Sequence, residues 1–501
     1  MQLPFFSPAT FPYCYRLTCT WLLVVYATHL AACVVILVST HTGEMTGEKK
    51  RSSRKLSSGS RKSADDGTNG APSTMADALY QEAVDLASSA PQPLHPDPEL
   101  QLLREGERES MRALCESVAP AIAAHVAAAG GAAHADVTGA GRVLRFLRAY
   151  EHDAVAAAAA YVAMLSQRRD QGIEGVRERV LAADGSPQPC CGESMPHAEE
   201  AVAAGYGVSS MDDLTASLCC EFRARDGHMV MISRDGLGSP QALIDALSTE
   251  QLTEFWRSFF ELRQIHMDGE TRASGRQLRT VTVRDLAGLG IGFVRHAAAV
   301  SALQSILKDA TANYPESTHV CMFVNTPGLF SGIFALIKPI LSERTQAKVA
   351  FATGPEEYRP LLLAHLGVTG MLAAHRTLSG IPRAEWAGGG GQGGGQRELV
   401  VPARDCLEEV VYCTDACATV KWSWSVAAQD VEFEVERQFW DAGAREVKRE
   451  LVHPLVTVAA SDECTTGAFK VEAEALLVLR FNNTASWFAE KNVTLSVTIE
   501  K

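Results

Sequence analysis

At 501 residues the chain is too long for one ordinary domain, and 47% hydrophobic residues suffice to bury a core through most of it. A net charge of -13 excludes nucleic acid as a general partner, because a phosphate backbone needs a basic surface. The 13 cysteines are odd in number and scattered, which excludes a dense disulfide framework and reads as mostly reduced thiols.

Leu17 to Val38 is a run of 22 residues without an acid, Lys or Arg. As a helix it would span roughly 33 Å, about one hydrocarbon core. Lys49, Lys50, Arg51, Arg54, Lys55, Arg61 and Lys62 follow it. Basic flanks tend to stay cytoplasmic, which puts the body of the protein at the cytoplasmic face of membranes or, with no anchor, in the cytosol. The same run suits anionic headgroups, at about 1 kcal/mol per charge. Three readings stay open for residues 17–38: an anchor, a cleaved targeting peptide, or a wrongly chosen start. Residues 1–75 form this segment plus a basic linker, Ser-, Gly- and Lys-rich over 44–75, whose composition predicts disorder.

From about Asp97 to Arg179 the pattern predicts helices, grouped as a bundle over 97–185. In "GRVLRFLRAYEHDAVAAAAAYVAMLSQRRD", Val143, Leu144, Phe146 and Leu147 form a core stripe, and Asp153 is the N-cap of an Ala-rich helix. From His228 the pattern changes. "HMVMISR" reads as a strand, Thr249 to Ile265 as a helix, and "RTVTVRDL" as an alternating strand. Ala298 to Asn313 reads as a helix, "HVCMFVN" as a strand, Gly328 to Leu341 as a helix and "AKVAFAT" as a strand. Strands alternating with helices predict an α/β layer with a mainly parallel sheet over 186–385. Residues 386–399 hold "AGGGGQGGGQ", a flexible linker by composition. After it, "ATVKWSWSV", "VEFEVERQF", "PLVTVAA", "ALLVLRFNN" and "VTLSVTI" predict an all-β sandwich over 400–501. Trp422, Trp424, Trp487 and Phe488 belong in its interior by the dominance of aromatics there, or on a contact face.

The sequence holds no G-x-x-x-x-G-K-[ST] loop, no H-E-x-x-H and no G-x-S-x-G elbow, and no catalytic residue is assigned. Gly288, Gly290 and Gly292 are spaced G-x-G-x-G, which fits a plain loop better than a dinucleotide turn. Cys406, Cys413, Cys417 and Cys464 lack the second pair that zinc requires; no metal and no cofactor is assigned. His266, beside Asp268, reads as surface. Asn482 and Asn492 begin N-x-T sequons without consequence in a cytosolic domain.

The helix after "HVCMFVN" carries two apolar stripes. Leu329, Ile333, Leu336 and Ile340 form one; Phe330, Phe334, Ile337 and Leu341 form the other. An amphipathic helix on a sheet needs only one. The second faces either core or a cavity for a lipid. Gly332 and Pro339 loosen its two ends.

"YPE" before a strand, then "NTPGLFSGIFALIKPIL" and "RTQAKVAFATG", resembles the CRAL-TRIO lipid-binding family, the group of phosphatidylinositol-transfer proteins. "RVLRFLRA" (142–149) resembles its helical N-terminal motif, "RDGHMVMISR" its first strand and "TVTVRDLAG" its central strand. The resemblance runs from about Leu102 to Ala374. "LLVLRFNNTASWFAEKNVTLSVTI" resembles the end of a GOLD domain. The architecture implied is a helical bundle, an α/β CRAL-TRIO domain and a GOLD sandwich.

The resemblance implies a gate helix at Leu329, Phe330, Ile333, Phe334, Ile337 and Leu341. It also implies a headgroup site at Glu316, Thr345 and Lys348, with Thr280 and Thr282 of the central strand touching polar lipid parts. A phosphate wants a fixed cation and hydroxyl donors, and a carboxylate accepts from inositol hydroxyls or orients the lysine. Two departures count. Tyr150-Glu151 stands where many members carry a basic pair, and the tyrosines that cage choline in some relatives are missing near Glu261–Met267. The function implied is non-enzymatic binding and transfer or presentation of a phosphoinositide or another hydrophobic ligand between membranes. The alternative is a lipid-sensing trafficking adaptor that meets a protein partner through the sandwich.

Overall fold

The computed structural model describes residues 74–90, 97–129, 134–182, 198–207, 214, 222–289, 309–327, 343–379, 396–416, 418–460 and 463–500. The segment 17–38, the gate helix 329–341 and most of the linker 386–399 lie outside them.

Helical structure begins before residue 97, at α1 (Met75–Ser88), capped by the Thr74 hydroxyl, which accepts from the Asp77 amide at 3.1 Å. α2 (Arg108–Ala128) buries Met111, Leu114, Cys115, Val118 and Ile122, one stripe at helical spacing. After the one-turn α3 (Ala135–Thr138) come α4 (Ala140–Ala149) and α5 (Ala154–Asp170). Asp153 caps α5 as expected, accepting from the Val155 and Ala156 amides at 3.0 Å. Val143, Leu144, Phe146 and Leu147 pack against Tyr161, Met164 and Leu165 in the bundle core. The opposite face of α4 is also buried: Arg142, Arg145 and Arg148 are each 1% exposed. α6 (Ile173–Ala182) and α7 (Ala198–Gly205) lead to the second unit.

β1 (Met229–Ser233), β2 (Thr280–Asp285), β3 (Thr318–Val324) and β4 (Val349–Phe351) form a parallel sheet in sequence order. Between β1 and β2 run α8 (Pro240–Ala246) and α9 (Thr249–Ser274). α9 outlasts the expected Ile265 by more than two turns. It starts at a Ser248–Gln251 capping box and ends on Gly275, whose φ of 64° suits glycine. Gly288, with φ +85°, sits where a Cβ would come 3.3 Å from the Gly236 carbonyl oxygen. A tight backbone crossing explains this glycine; Gly290 and Gly292 lie outside the described residues.

The two faces of the sheet differ. Val230, Ile232, Val281, Val283, Val320, Met322 and Val324 pack beneath α11 (Pro355–Leu378), which follows the short α10 (Glu343–Gln346). Alternation puts Thr280, Thr282 and Arg284 on the other face of β2. All three are buried.

The last part is an antiparallel sandwich. One sheet is β10 (Thr465–Lys470), β7 (Thr419–Val426), β12 (Lys491–Glu500) and β5 (Gln396–Val401). The other is β6 (Cys406–Cys413), β11 (Ala475–Asn482), β8 (Asp430–Asp441) and β9 (Glu446–Ala459). β5 begins inside what the sequence assigns to the linker. Trp422 and Trp424, two apart on one strand face, lie in the core, whereas Trp487 and Phe488 are 63% and 95% exposed. The expected interior therefore holds for the first pair and fails for the second, which falls on the turn between β11 and β12. Leu476 and Tyr412 of the second sheet join the cluster around α11, so that helix is covered by a sheet on each side.

Cys406 and Cys413 end opposite tips of β6, about 23 Å apart at strand rise, so they cannot share one ion. No helix among the described residues is long and apolar enough to cross a membrane.

Candidate functional site

The chemistry-bearing cluster is built around the segment Tyr314–Glu316, between the end of a helix and β3. Tyr314 is buried and its hydroxyl donates to Glu261 of α9. Glu261 is itself fully buried between Arg168 Nη1 at 2.7 Å and Arg177 Nη1 at 2.8 Å. Burial alone would raise its pKa, but the two guanidiniums hold it far below the usual range. α4 holds the backbone of the segment: Arg142 donates to the Asn313 carbonyl at 2.9 Å, and Arg145 to the carbonyls of Glu316 and Leu278 at 2.8 Å each. The Ser317 carbonyl accepts from the Thr280 amide at 2.8 Å and hydroxyl at 3.0 Å. Glu316 is thereby fixed with φ 52°, a conformation few side-chain-bearing residues adopt, and with its side chain fully buried.

Three cations converge on that carboxylate. Arg344 Nε of α10 reaches Oε1 at 2.8 Å, and its Nη2 reaches Oε2 at 3.1 Å. Lys348 Nζ lies 3.3 and 3.4 Å from the two oxygens. Arg279 Nη2, one residue before β2, lies 2.9 Å from Oε2. Burial would raise the pKa of Glu316; the charges of Arg279, Lys348 and Arg344 hold it well below the usual carboxylate range. Burial pushes Lys348 down to about 8, with repulsion from Arg279 and Arg344 adding to it and Glu316 opposing it. A fixed, desolvated group of three cations around one carboxylate can exchange that carboxylate for, or extend it by, a phosphate.

A comparison with protein families matches residues 222–364 to the CRAL/TRIO domain. Residues 222–364 are a CRAL/TRIO domain. Among solved structures, the crystal structure of Sfh5 is similar, at 15% identity and a TM-score of 0.36, over 51% of this chain and 82% of that one.

Within and beside the CRAL/TRIO domain, Glu316 and Lys348 are in direct contact. Thr280 lies next to them, its hydroxyl spent on the Ser317 carbonyl, so it braces the loop. Thr282 points to the same face of β2 and is 3% exposed. Thr345 falls on α10 between Arg344 and Lys348. The gate positions Leu329, Phe330, Ile333, Phe334, Ile337 and Leu341 lie outside the described residues. His266 is exposed, as its spacing suggests, but neighbouring Asp268 is buried and pairs with Arg142 at 3.3 Å and Arg145 at 3.4 Å.

Sequence reasoning misses Arg279, Arg344 and Glu99. Arg344 is visible beside the T-x-x-K stretch, and Arg279 beside the central strand; Glu99 carries no signal at all. Nor does it anticipate the buried arginines of α4, although their spacing of three places them on one helix face.

A second concavity of about 1110 Å³ lies between α11 and the sandwich. Its charged groups already pair across the junction. Arg359 reaches Glu408 at 2.6 Å, Arg449 reaches Glu356 at 2.7 Å, and Arg480 reaches Glu408 at 2.8 Å and Glu356 at 3.1 Å. That pattern is an interface.

Proposed function

We propose that the protein is a non-enzymatic lipid carrier or presenter, holding a phosphoinositide or another hydrophobic ligand with its polar end at Glu316 and Lys348. CRAL-TRIO proteins are lipid-binding transfer proteins as a family. The observation that carries the reading for this chain is the buried cation cluster beside the mixed face of the sheet. A face bearing Thr280, Thr282 and Arg284 is poor packing for a plain core, where aliphatic residues like those under α11 belong. It suits a ligand with a polar head and an apolar tail. Extracting such a ligand exposes its chains at about 0.8 kcal/mol per methylene, roughly 12 kcal/mol for a sixteen-carbon chain. The double-striped segment 329–341 supplies a cover that seals the ligand when closed and meets the membrane with its outer stripe when open. The sandwich is a GOLD domain on this reading, and the protein works at the cytoplasmic face of membranes.

The test is mass spectrometry of lipid extracted from the purified full chain, followed by transfer between vesicles. A co-purifying or exchangeable lipid, with transfer lost in Lys348→Ala, is the expected result. A protein that neither carries nor exchanges any lipid sinks the proposal. The exposed Trp487–Phe488 pair favours a second reading, a lipid-sensing adaptor that docks a protein partner through the sandwich. Under it, Lys348→Ala leaves transfer unchanged and abolishes recruitment.

A further inference from the structure

Arg279 and Arg344 are bridged a second time, from the other side of Glu316's contacts. Glu99 Oε2 accepts from Arg279 Nη2 at 2.8 Å and from Arg344 Nη2 at 3.0 Å. Two guanidiniums are thus held by two carboxylates, one delivered by the CRAL/TRIO domain and one by the helical region. The two carboxylates are not equivalent. Glu316 is fully buried and locked by its backbone. Glu99 stands on the three-residue turn Pro98–Leu100, and its side chain is one-third exposed. Burial would raise its pKa, but Arg279 and Arg344 hold it at about 2, so it stays ionised at neutral pH. Arg148 grips the Glu99 and Gln101 carbonyls at 3.2 and 2.7 Å, so the backbone is pinned, while Glu99 Oε1 faces the partly exposed Arg104 Nη1 at 3.6 Å, the side toward which the carboxylate can turn.

The cluster also has donor capacity left over. Four cations, Arg279, Arg344, Lys348 and, at 3.6 Å, Arg104, meet the two carboxylates. Arg279 is 2% exposed, and its Nε has no acceptor among the described residues. Arg279 spends one nitrogen, Nη2, on both Glu99 Oε2 and Glu316 Oε2, and on the Glu99 side a single carboxylate oxygen serves both guanidiniums. A phosphate offers several oxygens to the same nitrogens and satisfies more of them.

We propose that Glu99 is an intramolecular stand-in for the ligand's phosphate on Arg279 and Arg344, turning out to solvent when the phosphate enters. This rests on the carrier reading and deepens it by naming a competitor within the chain that regulates the same site. The ligand binds only as tightly as it outcompetes Glu99, which makes release as well as capture reversible.

Full-length protein is titrated with phosphatidylcholine vesicles carrying phosphatidylinositol 4-phosphate, with phosphatidylcholine vesicles alone, and with soluble inositol 1,4-bisphosphate. Glu99→Gln keeps the shape and removes the competing charge. It is expected to tighten phosphoinositide-vesicle binding by about tenfold, the fold-change of one charge-assisted hydrogen bond, and to leave phosphatidylcholine binding unchanged. Glu99→Asp, which keeps the charge but shortens its reach, gives a smaller gain and guards against a folding artefact in the first variant. Arg344→Met added to Glu99→Gln removes the gain. A gain shared by inositol 1,4-bisphosphate assigns the site to any phosphate ester; a gain confined to vesicles assigns it to the lipid headgroup. Unchanged or weakened anion binding in Glu99→Gln overturns the proposal, even if the protein still transfers neutral lipid. Conversely, tighter inositol 1,4-bisphosphate binding in a protein that carries no lipid upholds this site and removes the carrier reading.

Discussion

Replacing Glu316 by Gln is the most direct perturbation of the site. The change keeps volume and the backbone requirement of φ 52°, because glutamine enters the left-handed region no more readily than glutamate. It deletes one negative charge that meets Arg344 at 2.8 and 3.1 Å, Arg279 at 2.9 Å and Lys348 at 3.3 Å. Adding about 1.5–3 kcal/mol for each charged hydrogen bond would overshoot, since the same charges cost desolvation energy to bury. Removing one partner of a buried cluster costs about 3–5 kcal/mol, because the remaining charges stay buried without compensation. The exposed edge of Arg344 relaxes toward water, so the lower half of that range is expected. Urea unfolding of the full chain, followed through tryptophan fluorescence and far-UV circular dichroism, reads the loss. Glu99→Gln is the internal control: its carboxylate is one-third exposed, so it should cost about 1 kcal/mol or less. Adding Lys348→Met to Glu316→Gln should restore part of the loss, since it withdraws one stranded cation. A Glu316→Gln protein within 1 kcal/mol of the parent, or no less stable than Glu99→Gln, would falsify the claim that this carboxylate neutralises the cluster.

Lys348 titrates at about 8 when folded against an ordinary 10.5, so between those values the unfolded chain binds more protons. Stability therefore rises with pH across that window, by about 1.4 kcal/mol per pH unit at most; Lys348→Met should abolish this increment in parallel urea titrations at pH 7.5 and 10. The same deprotonation removes a cation from the site, so affinity for phosphoinositide vesicles should fall as pH rises through 8 and should stay flat in Lys348→Arg. At Gly467 a Cβ would sit 2.4 Å from the Trp422 ring across the strand pair; Gly467→Ala should cost about 1–3 kcal/mol by overpacking and shift tryptophan emission. Arg480→Met leaves Glu356, Glu408 and Glu434 facing one another at the α11–sandwich junction. These groups are partly exposed, so a loss of about 1–2 kcal/mol, between exposed and buried pairs, should appear in thermal melts at low salt and shrink at high salt.

Much of the fold is legible because its patterns are local. Val281 and Val283 alternate with Thr280 and Thr282, Asp153 precedes an Ala-rich run, and the sandwich strands repeat at short intervals between turn residues. α11 is not legible, for two physical reasons. Sheets cover it on both sides, so its apolar residues show no single stripe, and Gly367 breaks it with φ 68° and ψ 178°. β9 is legible only in its second half, as "PLVTVAA"; Lys448, Arg449 and Glu450 interrupt the apolar alternation of its first half. Composition cannot separate Trp422 from Trp487, since position on a strand or on a turn decides which is buried. At the site, Glu316 and Lys348 are found through motif resemblance. Arg279, Arg344 and Glu99 come from three separate stretches, and only the tertiary fold brings them together.

That convergence bears on which part of the chain is the functional unit. The family match covers residues 222–364, yet one of the two carboxylates on Arg279 and Arg344 comes from residue 99, outside it. The loop that presents Glu316 is held by Arg145 of α4 and, through Glu261 and Tyr314, by Arg168 of α5 and Arg177 of α6. Arg148 fixes the backbone of Glu99 and is itself neutralised by Glu107, 2.8 Å away. The arginines of "RVLRFLRA" thus act as a clamp: their face of α4 holds both carboxylate-bearing segments by their backbones, while the opposite face packs the helical core. An isolated CRAL/TRIO segment would keep the cations and lose the clamp, leaving Arg279 half-neutralised and Glu316 free to leave its constrained conformation. The site therefore belongs to the helical bundle and the α/β domain jointly.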